Sequence, residues 1–300
     1  MPYDSVVKEM QDWVPAFTKE EVERLVRNVF ETPLEYGCND QIMKQYCSDK
    51  CAFFQHKNFG SKHQDVHAME EEFQKLIKTD FSKTSFDMRE IYPESSASYR
   101  MLPGEMVVVI GDTKVGKTAF VQNIVTKLSR MHTLYVSTEV GGPLLYRRFI
   151  QMAHRMTKEH VEQYYMTQTN SLSDKISHIK VVTEPQFITD IYTTVKSVNP
   201  QIVVIDTTDG IRTRNSRDPI TTSNDIALQI RELATSTNTI VIAIHHISKS
   251  GLMDPHTYKH RGLTVLSGKG SSTLEQKADK IIGIEADPNT GIRTIRSLAA

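Results

Sequence analysis

Gly111-Asp112-Thr113-Lys114-Val115-Gly116-Lys117-Thr118 decides the reading of this chain. It fits Gly-x-x-x-x-Gly-Lys-[Ser/Thr], and it lies between an apolar run, Met106 to Ile110, and a helix-like run, Ala119 to Arg130. A strand before and a helix after give the pattern a mechanism. Backbone N–H groups of such a turn surround phosphate oxygens, Lys117 reaches the β- and γ-phosphates, and the Thr118 hydroxyl binds Mg²⁺. The helix that follows turns its N-terminus toward the anion. Gly111, Asp112, Thr113, Lys114, Val115, Gly116, Lys117 and Thr118 are therefore the expected phosphate-binding set. The plainer reading is a glycine-containing strand–helix turn with a chance Lys-Thr.

Outward from this loop, short apolar runs alternate with helical stretches from Gly104 onward. The runs are Met106–Ile110, Leu134–Val136, Ile179–Val182, Ile202–Ile205, Ile240–Ile244 and Ile281–Ile284; Phe187–Ser197 and Ser223–Ser236 are helical stretches between them. This pattern predicts an α/β fold with a mainly parallel, buried sheet and helices on both faces. Ligands in such sheets bind beyond the C-terminal strand ends.

Three polar residues fall at those ends. Asp206 closes Ile202-Val203-Val204-Ile205, the place for a carboxylate that holds Mg²⁺ beside a phosphate loop; a strand-end Asp capping a turn is the plain alternative. Glu139 follows Leu134-Tyr135-Val136-Ser137-Thr138 and precedes the tight Gly141-Gly142-Pro143 turn. A carboxylate there can orient and deprotonate an attacking water. His245 and His246 end the Ile240–Ile244 run. His246 is expected to sense the γ-phosphate and relay its loss to the next loop; His245 is left open.

Basic residues populate two polar loops: Arg212, Arg214 and Arg217 after the Asp206 strand, and Lys249, Lys259, Arg261 and Lys269 after His246. Arg212, Arg214, Lys249 and Lys269 are the expected contacts to a nucleic-acid strand, of the nonspecific, salt-sensitive kind. A solvated surface loop is an equal reading.

The first segment, 1–81, reads as a small helical domain. Thr18 and Glu21 form a capping box ahead of Val22, Leu25, Val26 and Val29, and Val66 to Ile77 carries a second helical rhythm at Met69, Phe73 and Leu76. All three cysteines fall in this segment. Cys38, Cys47 and Cys51, with His56 as fourth ligand and His63 in reserve, are compatible with a tetrahedral Zn²⁺ site; three reduced thiols are the alternative. Residues 82–103, rich in Ser and Tyr, read as a linker wrapping onto the domain at 104–300.

Bulk composition limits the partners. Lys+Arg 36 against Asp+Glu 36 gives zero net charge, so nucleic-acid contact must come from local patches. The start, Met1 to Met10, carries Asp4 and Glu9 without an apolar core, and the apolar runs are strand-sized, so no membrane partner is expected. A cytoplasmic protein is expected, in the host cytoplasm if phage-encoded.

The order of elements resembles the RecA-like P-loop NTPase core of DnaB-type replicative helicases. The matching pieces are Gly111–Thr118, Val136-Ser137-Thr138-Glu139, Ile202–Asp206, Ile230-Arg231-Glu232-Leu233-Ala234, Val241–His246, and the stretch Gly270 to Asp279 with its Glu275-Gln276-Lys277-Ala278-Asp279. The resemblance implies an ATP-hydrolysing motor on single-stranded DNA, a ring that is usually hexameric, and the roles given above to Lys117, Thr118, Glu139 and Asp206. His246 stands where the family usually has Gln, and Thr113 where many members have Pro. The family also places a basic pair after a strand like Ile292–Leu298; here the chain stops at Ala299-Ala300. Either Arg293 or Arg296 substitutes as arginine finger, or the chain lacks its natural end, which is the expectation. Trp13 to Asn58 looks like the Cys-containing segment of some phage primase–helicases, so a primase partner is implied. A RecA/RadA-like recombination or repair ATPase and a nucleotide-gated scaffold or loader are the alternative functions.

Overall fold

The computed structural model describes residues 18–24, 66–95, 98–184, 186–213, 219–247, 263–264, 273–287 and 289–299. The chain divides into two compact units, Met1–Ile77 and Lys78–Ala300.

In the first unit, residues 19–24 are helical. The capping box read from sequence is formed: Glu21 Oε2 accepts from the Thr18 N–H at 2.8 Å, and Thr18 Oγ1 accepts from the Glu21 N–H at 3.4 Å. Helix α1 spans Val66–Lys78, with Met69, Phe73 and Ile77 exposed. Cys38, Cys47, Cys51, His56 and His63 lie outside the described residues.

The second unit is a seven-stranded sheet between two helical layers. Its strands are β3 (Met106–Gly111), β4 (Thr133–Ser137), β5 (Ile179–Val182), β6 (Ile202–Asp206), β7 (Ile240–His246), β8 (Lys280–Ala286) and β9 (Arg293–Ala299). They are ordered β5-β4-β6-β7-β3-β8-β9. All neighbours are parallel except β8 and β9. The apolar runs are strands because both of their faces are buried. On β3, Val107 and Val109 enter one core while Met106, Val108 and Ile110 enter the other, as a two-residue side-chain period requires.

The first core is closed by α3 (Lys117–Lys127), α4 (Gly142–His154) and α5 (Lys158–Thr167) through Val121, Ile124, Leu145, Phe149 and Val161. The second is closed by α6 (Ile188–Val198) and α7 (Pro219–Thr237) through Ile191, Val195, Ile230 and Leu233, with Leu274 of the short α8 (Thr273–Lys277). Residues 82–103, read above as a linker, put Phe86, Met88, Ile91 and Met101 into the first core. They form β1 (Phe86–Asp87), the single turn α2 (Met88–Ile91) and β2 (Arg100–Met101), with β1 antiparallel to β2. Asp87 caps that turn, accepting from the Arg89 N–H while Glu90 reaches back to the Asp87 N–H. Among the described residues, no helix is long and apolar enough to cross a membrane.

Candidate active site

The central strand β3 ends at Gly111, and the chain turns there without room for a side chain. A Cβ on Gly111 would lie 2.5 Å from the Ile284 carbonyl oxygen and 2.9 Å from Val115 Cγ1. Lys114 (φ 65°) and Gly116 (φ 105°) take left-handed backbone and fold residues 112–116 over the strand tip. Helix α3 starts at Lys117 with no side-chain cap at Gly116. Its first N–H groups are therefore available to an anion, toward which the helix dipole also points.

Lys117 is buried, and its Nζ donates to the carbonyls of Gly111 (2.8 Å) and Asp112 (2.9 Å). Burial lowers its pKa, opposed by the carboxylates of Asp112, Glu139, Asp206 and Asp209. Next in the helix, Thr118 donates from Oγ1 to Asp206 Oδ1 at 3.0 Å. The other carboxylate oxygen, Asp206 Oδ2, accepts from the Tyr135 hydroxyl at 2.6 Å. Burial raises the pKa of Asp206; the bonds from Tyr135 and Thr118 work against that rise. A hydroxyl and a carboxylate side by side, next to a phosphate-sized loop, are the hard oxygen donors that suit Mg²⁺.

Glu139 emerges past the tip of β4 and is half-exposed, with Oε1 accepting from Thr207 Oγ1 (3.0 Å) and lying 3.2 Å from His246 Nε2. The opposite ring nitrogen, His246 Nδ1, is 3.4 Å from Lys117 Nζ. His246 thus stands between the loop lysine and the carboxylate. Thr138 fastens the two strand ends: its Oγ1 accepts from the Thr207 N–H and donates to the Thr207 carbonyl, both at 3.0 Å, and its own N–H donates to the Asp206 carbonyl at 2.7 Å. Gly210 makes this possible, since a Cβ there would sit 2.3 Å from Thr138 Cβ and Oγ1. His245, buried, points to the other side of β7 and pairs with Thr208 Oγ1 at 2.8 Å.

Four adjacent strands, β4, β6, β7 and β3, thus bring Glu139, Asp206, His246 and the 111–118 loop to one edge of the sheet. The profile of the AAA-domain family matches residues 70–251, more than half of the chain. The chain belongs to the AAA-domain family. Over 175 residues it is 24% identical to the DNA repair protein RadA of Streptococcus pneumoniae, a match that takes in 57% of this chain and 37% of RadA. The match therefore spans little more than a third of that relative's length. Among solved structures, the ATPase domain of one DnaB-like helicase superposes with a TM-score of 0.63 at 16% identity, covering 80% of this chain and 92% of that one. A second DnaB-like replicative helicase, described with its interactions with primase, gives 0.59 at 15% identity over 99% of this chain and 76% of that one. At these identities the likeness is one of fold, the RecA-like P-loop ATPase core that the order of elements leads one to expect.

Not every expected residue falls within this AAA-domain site. Arg212 is exposed, and its backbone is tied to the chain ahead of α6: its N–H donates to the Gln186 carbonyl, and its carbonyl accepts from the Ile188 N–H. Arg214, Arg217, Lys249, Lys259, Arg261 and Lys269 lie outside the described residues. Both finger candidates are engaged within the chain, Arg293 donating from Nε to the Val115 carbonyl at 2.8 Å and Arg296 lying 3.5 Å from Glu285. Sequence reasoning missed Tyr135, Thr138 and Thr207. The hydroxyl at Thr207, next to a strand-end Asp, was the available signal; Tyr135 reads only as strand core. It also missed a cavity of about 180 Å³ beside the loop, lined by Asp112, Val115, Ile247, Leu263, Ile284 and Glu285 among others.

Proposed function

We propose that this chain hydrolyses ATP as the motor of a replicative DNA helicase, translocating on single-stranded DNA as a homo-oligomeric, hexameric ring. The observation that supports this most is the meeting of Lys117, Thr118, Asp206, Glu139 and His246 at neighbouring strand tips. In this reading the 112–117 backbone binds the phosphates, and Lys117 leaves its two carbonyls for the β- and γ-phosphate oxygens. Thr118 and Asp206 hold Mg²⁺, which when bound neutralises charge on the bridging phosphate oxygens. Glu139 accepts the proton of the attacking water while Thr207 and His246 fix the carboxylate. His246, touching both Lys117 and Glu139, registers loss of the γ-phosphate and passes it to the loop that follows β7.

Arg212, Arg214, Lys249 and Lys269 are proposed to follow the DNA backbone. Cys38, Cys47, Cys51 and His56 are proposed to bind Zn²⁺, and metal analysis of the purified protein tests it: a metal-free, folded sample rejects the zinc site. A primase is the proposed partner, and the cytoplasm, the host's if phage-encoded, the proposed compartment. The RadA similarity favours a second reading, a repair ATPase that coats DNA without unwinding it; a nucleotide-gated loader is the third. Unwinding of a forked duplex, alongside strand-stimulated ATP hydrolysis, separates them. ATP hydrolysis without unwinding removes the helicase reading; no ATP binding removes all three.

A further inference from the structure

Asp206 is a buried carboxylate with each oxygen tied to a different element. Oδ1 faces Thr118 at the start of α3, and Oδ2 is held by the hydroxyl of Tyr135 on the neighbouring strand β4. Tyr135 is fully buried. Its ring meets Phe149 of α4 edge-on, with centroids 5.3 Å apart and planes at 90°, so packing fixes the direction in which the hydroxyl points. Gln122, four residues after Thr118 and on the same face of α3, lies against that hydroxyl. It is itself fully buried, and neither atom of its amide has a hydrogen-bond partner among the described residues. A buried amide is costly to leave unpaired. Its placement beside a tyrosine–carboxylate pair is what a group that steadies the pair would have.

We propose that Tyr135 is a positioning residue for the metal carboxylate: its hydroxyl anchors Asp206 Oδ2 and leaves Oδ1 directed at Thr118 and the metal. The inference rests on the reading of Asp206 as the group that holds Mg²⁺. Without the anchor, the carboxylate can rotate about its last bond, and the oxygen next to Thr118 is no longer fixed. Partners that orient a ligand in this way govern metal affinity more than nucleotide affinity.

Tyr135→Phe removes the hydroxyl and keeps the ring that packs on Phe149. The affinity of the full chain for a fluorescent ADP is measured in MgCl₂ and in EDTA, and Mn²⁺ binding to the ADP complex is followed by electron paramagnetic resonance. The variant should lose about tenfold in Mn²⁺ affinity, and in the gain that magnesium gives to ADP binding, with its affinity in EDTA unchanged. The double variant Tyr135→Phe/Asp206→Asn should be no worse than Asp206→Asn alone, because the tyrosine acts through that carboxylate. An unchanged magnesium gain, an equal loss in EDTA as in magnesium, or multiplying effects in the double variant would each overturn the proposal. Failure of the underlying reading looks different. In that case wild type shows no magnesium gain, or Asp206→Asn keeps it, and the proposal falls with the reading.

Discussion

Glu139→Gln isolates one chemical property of the site. The substitution conserves size, and an amide oxygen accepts from Thr207 Oγ1 as the carboxylate does now at 3.0 Å. The side chain is half-exposed, so its replacement leaves the fold within about 0.5 kcal/mol. What disappears is the capacity to take a proton from water. General base catalysis contributes about 10²–10⁴-fold, equivalent to about 2.7–5.4 kcal/mol of barrier. Nucleotide binding should hold, because the loop, Lys117 and Thr118 are untouched and one negative charge near the phosphates is gone. The assay is single-turnover ATP hydrolysis with enzyme in excess, run beside equilibrium binding of a fluorescent nucleotide. Thr207→Val is the graded companion: it deletes one hydrogen bond to the carboxylate, worth about 0.5–1.5 kcal/mol, and should slow hydrolysis by up to about tenfold. Hydrolysis by Glu139→Gln at the wild-type rate, with ATP bound, would refute the assignment of this carboxylate as the base.

Lys117→Ala should weaken ATP binding about 10- to 100-fold, the worth of charge-assisted hydrogen bonds to phosphate, and titration with nucleotide reads it directly. Gly210→Ala should destabilise the protein by about 1–3 kcal/mol in urea unfolding, since the new methyl meets Thr138 at 2.3 Å. Asp87→Asn should cost about 1 kcal/mol at neutral pH through the weakened cap. Burial alone would raise the pKa of Asp87, but hydrogen bonds from Ser98 and Arg89 and the Arg89 charge hold it below the ordinary value. A depressed folded pKa stabilises above the unfolded value of about 3.9 and is lost as pH falls through the folded one, so the gap between wild type and variant should close in acid.

The strands were legible because each is a run of β-branched and apolar residues buried on both faces, with a polar residue where the run stops. That stop is what marked Asp206 and His246, and the glycine spacing marked the loop. Residues 82–103 were harder: Phe86, Met88, Ile91 and Met101 follow neither a helical nor a strand period, and only the core they enter explains them. Tyr135 was illegible for a different reason. In Leu134-Tyr135-Val136 it looks like one more buried strand residue, and its acceptor lies 71 positions away in the chain. The fastening of β4 to β6 by Thr138 likewise depends on a contact across 69 positions. Local pattern reveals where a strand ends; it does not reveal which hydroxyl will find which carboxylate.

The parallel register carries a consequence of its own. Lys117 and His246 are 129 positions apart, and they meet because Gly111 stands opposite His246 across β3 and β7. Side chains on a strand alternate between faces, so slippage of β7 by a single residue would exchange His246 for His245 at the phosphate edge and send the other ring to the far side. Turnover in this protein is therefore also a gauge of strand alignment. Lesions deep in the sheet, far from any nucleotide, should silence it as completely as the loss of a reacting group.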